Sequence, residues 1–238
     1  MNLLEIPSRR KDVARSLRTV RWKDRNNFYN NYRSETQYIQ GLLGLEHFFD
    51  YVRENQDGLG SNKVYDLGCG VAYALGGLSV SEMAKGLELF GITAQWKAAI
   101  GGNFDSSRVK ITSVEKMDGV EDNSVAAMFS DYGALSYTKD AEQAAITIDR
   151  KLVPGGIIKA VFSNSFFNIS AGEGPWAMKK QWTKLGYDLF MQKDKPNRSA
   201  VLLAIKPVGF KSPENLMKED LQDYEDQIER VSKDILNN

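Results

Sequence analysis

The feature that most constrains this chain is a short apolar run that ends in glycines. Lys63-Val64-Tyr65-Asp66-Leu67 passes directly into Gly68-Cys69-Gly70. The run reads as a strand, because β-branched and aromatic side chains suit a pleated, buried surface. Glycines at the turn let the backbone approach a ligand closely. In open α/β sheets, ligands bind just beyond the carboxyl ends of the strands, where such a turn falls. Asp66, immediately before the glycines, narrows the choice of ligand. Its carboxylate repels a pyrophosphate and suits a cationic group, an ammonium or a sulfonium. The dinucleotide-binding pattern also needs a third glycine, whereas here Ala72 and Tyr73 follow.

The pattern around this turn alternates between strand and helix. Tyr38, Leu42, Leu45, Phe49 and Val52 recur every three or four residues and predict a helix ending at Gly58–Gly60. After the turn we expect a helix over 74–86, weakened by Gly76 and Gly77, then a strand Leu87–Thr93 and a helix over 95–100. Strands follow at Val109–Val114 and Val125–Ser130, with a helix on Ala141, Ala144, Ile148 and Leu152 closed by Pro154-Gly155-Gly156. A fifth strand spans Ile157–Phe162, and Met178, Trp182 and Leu185 mark a helix ended by Gly186. Asp188–Gln192 and Ala200–Ile205 flank the turn Lys195-Pro196-Asn197. Alternating elements imply a doubly wound, mostly parallel sheet. A short turn cannot join parallel strands, so the last two form an antiparallel hairpin.

The composition excludes several classes. Lys plus Arg total 31 and Asp plus Glu total 31, which argues against a chain that coats polyanions with its whole surface. The single cysteine, Cys69, allows no intrachain disulfide. The start lacks the apolar stretch of a signal peptide, and no run approaches the roughly 20 apolar residues of a membrane span. The expected location is cytoplasmic. No Cys/His cluster suggests zinc, and no metal site is expected. Cys69 in the turn is read as a packing residue, and His47 as a surface or core-edge residue.

The segment Val64-Tyr65-Asp66-Leu67-Gly68-Cys69-Gly70-Val71-Ala72-Tyr73-Ala74 resembles motif I of the class I (Rossmann-like) S-adenosylmethionine-dependent methyltransferases. The resemblance continues in order over about residues 60–206. Gly91-Ile92-Thr93 is similar to the end of the family's second strand, with Thr93 where many members hold the ribose with an acid. Arg108–Glu115 looks like the third strand and adenine-contacting turn, without the usual Asp at Ser113 or Val114; Glu115 is the available substitute. Leu152-Val153-Pro154-Gly155-Gly156 is close to the family's entry into strand five, and the final hairpin fits its inserted antiparallel strand. The resemblance implies a seven-stranded α/β sheet with N- and C-terminal helical extensions. It implies S-adenosyl-L-methionine as cofactor, held by Asp66, Gly68, Cys69, Gly70, Thr93, Val114, Glu115 and Ser130. It also implies a methyltransferase in which the methyl group passes in line to a nucleophile, so that alignment matters most. The acceptor pocket then falls at Asp131, Tyr132, Tyr137, Asn164 and Ser165. Asp131 and Tyr132 are the catalytic candidates, and Asp131 either acts as base or binds the methionine moiety. Ser130-Asp131-Tyr132-Gly133 is not the Asn/Asp-Pro-Pro-aromatic motif of nucleic-acid amino methyltransferases.

Three regions follow: a basic arm and helical lid over 1–58, the cofactor domain over 59–207 and a C-terminal amphipathic helix over 208–238. In the arm 9–25, Arg and Lys are interleaved with Trp22, and Phe28, Tyr29 and Tyr32 follow. It is either a docking element for RNA or an acidic protein, or a solvated helix. Met217, Leu221, Tyr224, Ile228, Val231 and Ile235 follow a heptad spacing, so the segment 214–236 either docks on its own domain or joins a dimer or heteromer. The leading expectation is transfer to a small-molecule acceptor. RNA or protein methylation, and a non-catalytic partner subunit motivated by Thr93 and Ser113/Val114, are the alternatives.

Overall fold

The computed structural model describes residues 45–94, 104–163, 174–194 and 199–207. All of them belong to one compact unit, Tyr32–Asp220. The basic arm, Tyr29, Tyr32, Tyr38, the expected helix over 95–100, Asn164, Ser165, the turn at 195–197 and the heptad segment 214–236 lie outside the described residues.

Seven strands form one sheet: β1 (Lys63–Leu67), β2 (Glu88–Thr93), β3 (Val109–Ile111), β4 (Val125–Asp131), β5 (Leu152–Ser163), β6 (Asp188–Asp194) and β7 (Ser199–Ile205). Their order is β3-β2-β1-β4-β5-β7-β6. The first five pair in parallel, and β7 runs antiparallel to both β5 and β6. The expected doubly wound sheet with its terminal hairpin is therefore observed. Because β2 and β3 extend to one side of β1 and β4 returns on the other, the strand order reverses between β1 and β4. Ligands of such sheets bind at that reversal, outside the carboxyl ends.

Helices cover both faces. The first face packs on α1 (Leu45–Glu54), α2 (Gln56–Leu59) and α3 (Tyr73–Ser79), through Phe48, Phe49, Val52, Leu59, Leu75 and Leu78. The spacing of the α1 residues explains this: positions three and four apart lie on one side of a helix. The second face packs on α4 (Ala141–Lys151) and α5 (Gly174–Lys184), through Ala144, Ile148, Met178 and Trp182. Asp140 starts α4 by accepting a hydrogen bond from the Gln143 N–H at 2.8 Å, an N-cap.

Four elements differ from expectation. The helix expected to run to Gly58–Gly60 breaks at Asn55 into α1 and α2. The helix expected over 74–86 stops at Ser79, and Glu82–Ala84 forms a separate 3-10 turn. The hydroxyls of Ser79 and Ser81 donate back to Gly76 O and Leu78 O, competing with the helix ladder. The third strand ends at Ile111 rather than Val114. There the chain closes on itself: the Asp118 N–H donates to Thr112 Oγ1 and the Met117 N–H to Ser113 O. The fifth strand begins at Leu152 rather than Ile157. Pro154-Gly155-Gly156 is absorbed as an irregularity, with Val125 opposite Leu152 but Ala127 opposite Ile157. Gly155 takes φ 76°, a conformation glycine adopts without the penalty of a Cβ.

Candidate functional site

The parallel strands end at one edge, and most of the expected site residues collect there. Asp66 and Leu67 close β1, Thr93 closes β2, and Ser130 and Asp131 close β4. The turn after β1 is locked to the neighbouring strand, since the N–H groups of Gly68 and Cys69 both donate to Ile92 O, at 2.9 and 3.0 Å. Those two donors are thereby committed within the fold.

The turns after β1 and β4 touch backbone to backbone. A Cβ on Gly68 would stand 2.4 Å from Ala134 N and 2.9 Å from Gly133 Cα. A Cβ on Gly133 would stand 2.4 Å from Leu67 O. Gly68 also has φ 109°, outside the range of L side chains. Gly68 is thus required by the second loop, whether or not a ligand approaches it. Ser130 adds a strut, its Oγ donating to Leu67 O at 2.9 Å. Tyr132 is held at φ 49°, unusual for a bulky residue, while its N–H donates to Val161 O at 2.9 Å. Its half-buried ring packs on the first-face core.

Two carboxylates are buried at this edge. Asp66 is 1% exposed and Asp131 5% exposed. Alternation along β1 and β4 sets both on the first face of the sheet, with Val64 and Phe129. Cys69 lies near Asp66, its Sγ 2.5 Å from where a Cβ on Gly91 would sit. Burial pushes the Cys69 thiol well up, and the negative charge of Asp66 pushes it further. A protonated, buried thiol is a packing group rather than a nucleophile.

The outer part of the edge is different. Val114 is buried in the second-face core with Ile92, Leu67 and Leu135. The Glu115 carboxylate accepts hydrogen bonds from Thr138 Oγ1 at 2.7 Å and the Lys139 N–H at 3.3 Å. Burial raises its pKa, but these hydrogen bonds and others outweigh that and hold it below the usual glutamate value. Thr93 is buried, and its carbonyl accepts from the Thr112 N–H at 2.9 Å. Tyr137 is half-buried in the segment just beyond the 3-10 turn Ala134–Ser136.

Sequence reasoning missed three residues here. Gly133 is needed for close approach, and Ser136 Oγ is buried with no hydrogen-bond partner among the described residues. Lys159, in the middle of β5, is 1% exposed. Only Lys159 carried a signal, a charge inside the apolar run Ile157–Phe162. Among the described residues no group of three or more His, Cys, Asp or Glu is arranged to hold a metal ion. No described helix is long and apolar enough to cross a membrane.

No family model and no curated protein sequence matches the chain. Among solved structures it is similar to the [4+2]-cyclase SpnF, at 17% identity over 69% of this chain and 81% of that one, with a TM-score of 0.50. It is also similar to a geranyl diphosphate methyltransferase in complex with GPP and sinefungin, at 15% identity over 66% and 77%, TM-score 0.48. A SAM-dependent methyltransferase from Archaeoglobus fulgidus gives 13% over 71% and 97%, TM-score 0.48. At these identities the likeness is one of fold. The fold itself is the one the sequence led us to expect, the Rossmann-like fold of class I methyltransferases with its inserted antiparallel strand.

Proposed function

We propose that the chain is an S-adenosyl-L-methionine-dependent methyltransferase acting on a small-molecule acceptor. One observation carries this reading: two buried carboxylates, Asp66 and Asp131, share one face at the point where the strand order reverses. Buried anions at a ligand-binding edge fit a ligand with cationic groups, such as a sulfonium and an ammonium. They do not fit a pyrophosphate. Asp66, Gly68, Cys69 and Gly70 would hold the cofactor with Thr93, Val114, Glu115 and Ser130 nearby. When bound, the cofactor supplies an electrophilic methyl group. Asp131 and Tyr132 would orient the acceptor, and the interlocked turns keep both in place. Proximity and alignment supply most of the rate in such a reaction.

Calorimetric titration with S-adenosylmethionine and S-adenosylhomocysteine tests the reading. Asp66→Asn is the control of choice, because a side chain at Gly68 would collide with Gly133 and Ala134 whether or not a ligand binds there. Micromolar binding that the Asn variant weakens supports the proposal. Absence of binding at millimolar ligand sinks it.

A second reading, a non-catalytic partner subunit, is favoured by the outer edge. Glu115 is already engaged by Thr138 and Lys139, and Thr93 stands where an acid would grip a ribose. The segment 214–236 would be its assembly element. Methylation of RNA or protein through the arm 9–25 is a third reading. Deleting the arm would then abolish acceptor binding, with steep salt dependence for RNA.

A further inference from the structure

Lys159 is a third ionisable side chain buried on the same face, and the proposed function does not use it. The registers set Asp66 opposite Phe129, and Phe129 opposite Lys159, so the three make one row across β1, β4 and β5. Phe129 and Val161, which bracket the lysine across and along the sheet, belong to the first-face core, and strand alternation puts Lys159 there with them. Asp131 is two residues beyond Phe129 on β4 and shares this face. Ladder spacing makes Lys159 a diagonal neighbour of Asp131, at roughly 8 Å between backbones. It stands two strand widths, about 10 Å, from Asp66. None of the three is without a partner of its own; the register adds that they share one low-dielectric layer.

The surroundings are otherwise apolar: Phe48, Phe49 and Val52 of α1, and Val201 and Leu203 of β7. The titratable groups brought to this layer are few among the described residues. Tyr51 of α1 donates to Gly155 O, Asp50 of α1 pairs with Arg53, and His47 is half-buried. Asp57 of α2 is exposed, β7 brings none, and the two turns bring Cys69 and Tyr132. Two like charges buried on one face oppose each other's ionisation, and a cation in the same layer reverses that.

We infer that Lys159 is a positioning residue whose charge keeps Asp66 and Asp131 ionised together, so that both present fixed anions to a cationic ligand. The mention of a cationic ligand rests on the proposed function; the electrostatics do not.

The test is a carbon-13 titration of the side-chain carboxyls in the ligand-free full chain, comparing the wild type with Lys159→Met. Asp66→Asn and Asp131→Asn assign the two signals. In the wild type both carboxyls are expected to be ionised at pH 7. In the Met variant at least one is expected to titrate about one unit or more higher. An apolar replacement of a buried ion is commonly tolerated, so the variant is expected to fold. Unchanged midpoints in a folded Met variant overturn the inference. So does a wild-type carboxyl that titrates above pH 7, a measurement that decides even if the variant fails to fold. Calorimetry with S-adenosylmethionine at pH 6 and pH 8 gives a second readout. Wild-type affinity is expected to be flat, and that of the Met variant to fall several-fold at pH 6. Failure of the wild type to bind at either pH removes the methyltransferase reading and leaves the carboxyl titration to judge Lys159.

Discussion

At the carboxyl edge of the sheet, the turns after β1 and β4 meet backbone against backbone, whereas the turn after β3 meets its neighbour through side chains. At the centre the contacts are Gly68 against Gly133 and Ala134, with buried Asp66 and Asp131 beside them. At the flank a carboxylate, Glu115, holds a hydroxyl and an N–H of the segment before α4. The difference teaches where geometry can tolerate change. A backbone contact leaves no atom to remove and no room to add one. A side-chain hydrogen bond can be lost for a modest cost, because water replaces part of it.

The largest expected effect is therefore at the centre. Gly133→Ala puts a Cβ 2.4 Å from Leu67 O and 2.9 Å from Ser130 Oγ. Leu67 O is backbone at the end of a buried strand and cannot step aside without moving β1. We expect roughly 3 kcal/mol of destabilisation in urea unfolding, in the upper part of the range for single substitutions. A loss below about 1 kcal/mol would show that the two turns can part, and the contrast with the flank would fail.

Next comes the charge. Asp66→Asn keeps the shape of a side chain that is 1% exposed, removes its charge and turns one acceptor oxygen into an NH2 donor. Charge-assisted hydrogen bonds contribute about 1.5–3 kcal/mol, which corresponds to a loss of roughly tenfold or more in affinity for S-adenosylmethionine. Calorimetry checks it, with urea unfolding to confirm that the variant is folded. Equal affinity in both proteins would place the cationic end of the ligand elsewhere.

How much of this was visible in the sequence depends on how local each feature is. The strand Lys63–Leu67 and its glycine turn were legible, because the apolar run and the turn chemistry lie within eight residues. So was the antiparallel end, because a short turn permits no crossover. The partnership of Gly68 with Gly133 was not legible. It joins segments far apart in the chain, as does the bond from Ser130 to Leu67 O, and nothing local marks either glycine as facing the other. Pro154-Gly155-Gly156 reads as the close of a helix that runs through Leu152, but α4 ends at Lys151 and the tripeptide lies inside β5. It forms the irregular start of β5, a choice made by pairing with β4 and with Lys206 rather than by the residues themselves. Lys159 was missed although it stands inside the apolar run Ile157–Phe162, and its face follows only from the strand register and the core around it.

A smaller effect sharpens the centre from its apolar side. The Cys69 thiol is pushed well above its ordinary value, by burial first and then by Asp66. Its folded pKa is raised, so its contribution to stability is fully present below the unfolded thiol value, about 8.5, and is lost as pH rises towards the folded value. Between about pH 8.5 and 9.5 the wild type should lose on the order of 1 kcal/mol that Cys69→Ala does not lose. Urea unfolding at the two pH values measures the difference. Parallel losses in the two proteins would mean that the thiolate forms freely in the folded state.

The smallest effect is at the flank. Glu115→Gln keeps a carbonyl oxygen for Thr138 and Lys139 but removes the charge. Glu115 is half-buried, so solvent screens much of its interaction, and the cost should be well under about 1 kcal/mol at neutral pH. The sign of its pH dependence is definite. The folded pKa is lowered, so the contribution is present above the unfolded glutamate value, about 4.3, and is lost as pH falls through the folded value. The Gln variant should lack that acid-side loss, and its unfolding midpoint should approach that of the wild type as pH falls below about 4. Binding of S-adenosylmethionine supplies the second half of the comparison. If Glu115 serves only the fold, affinity is unchanged in the Gln variant. If affinity drops tenfold while stability holds, its carboxylate also reaches the ligand, and the flank belongs to the site as fully as the centre does.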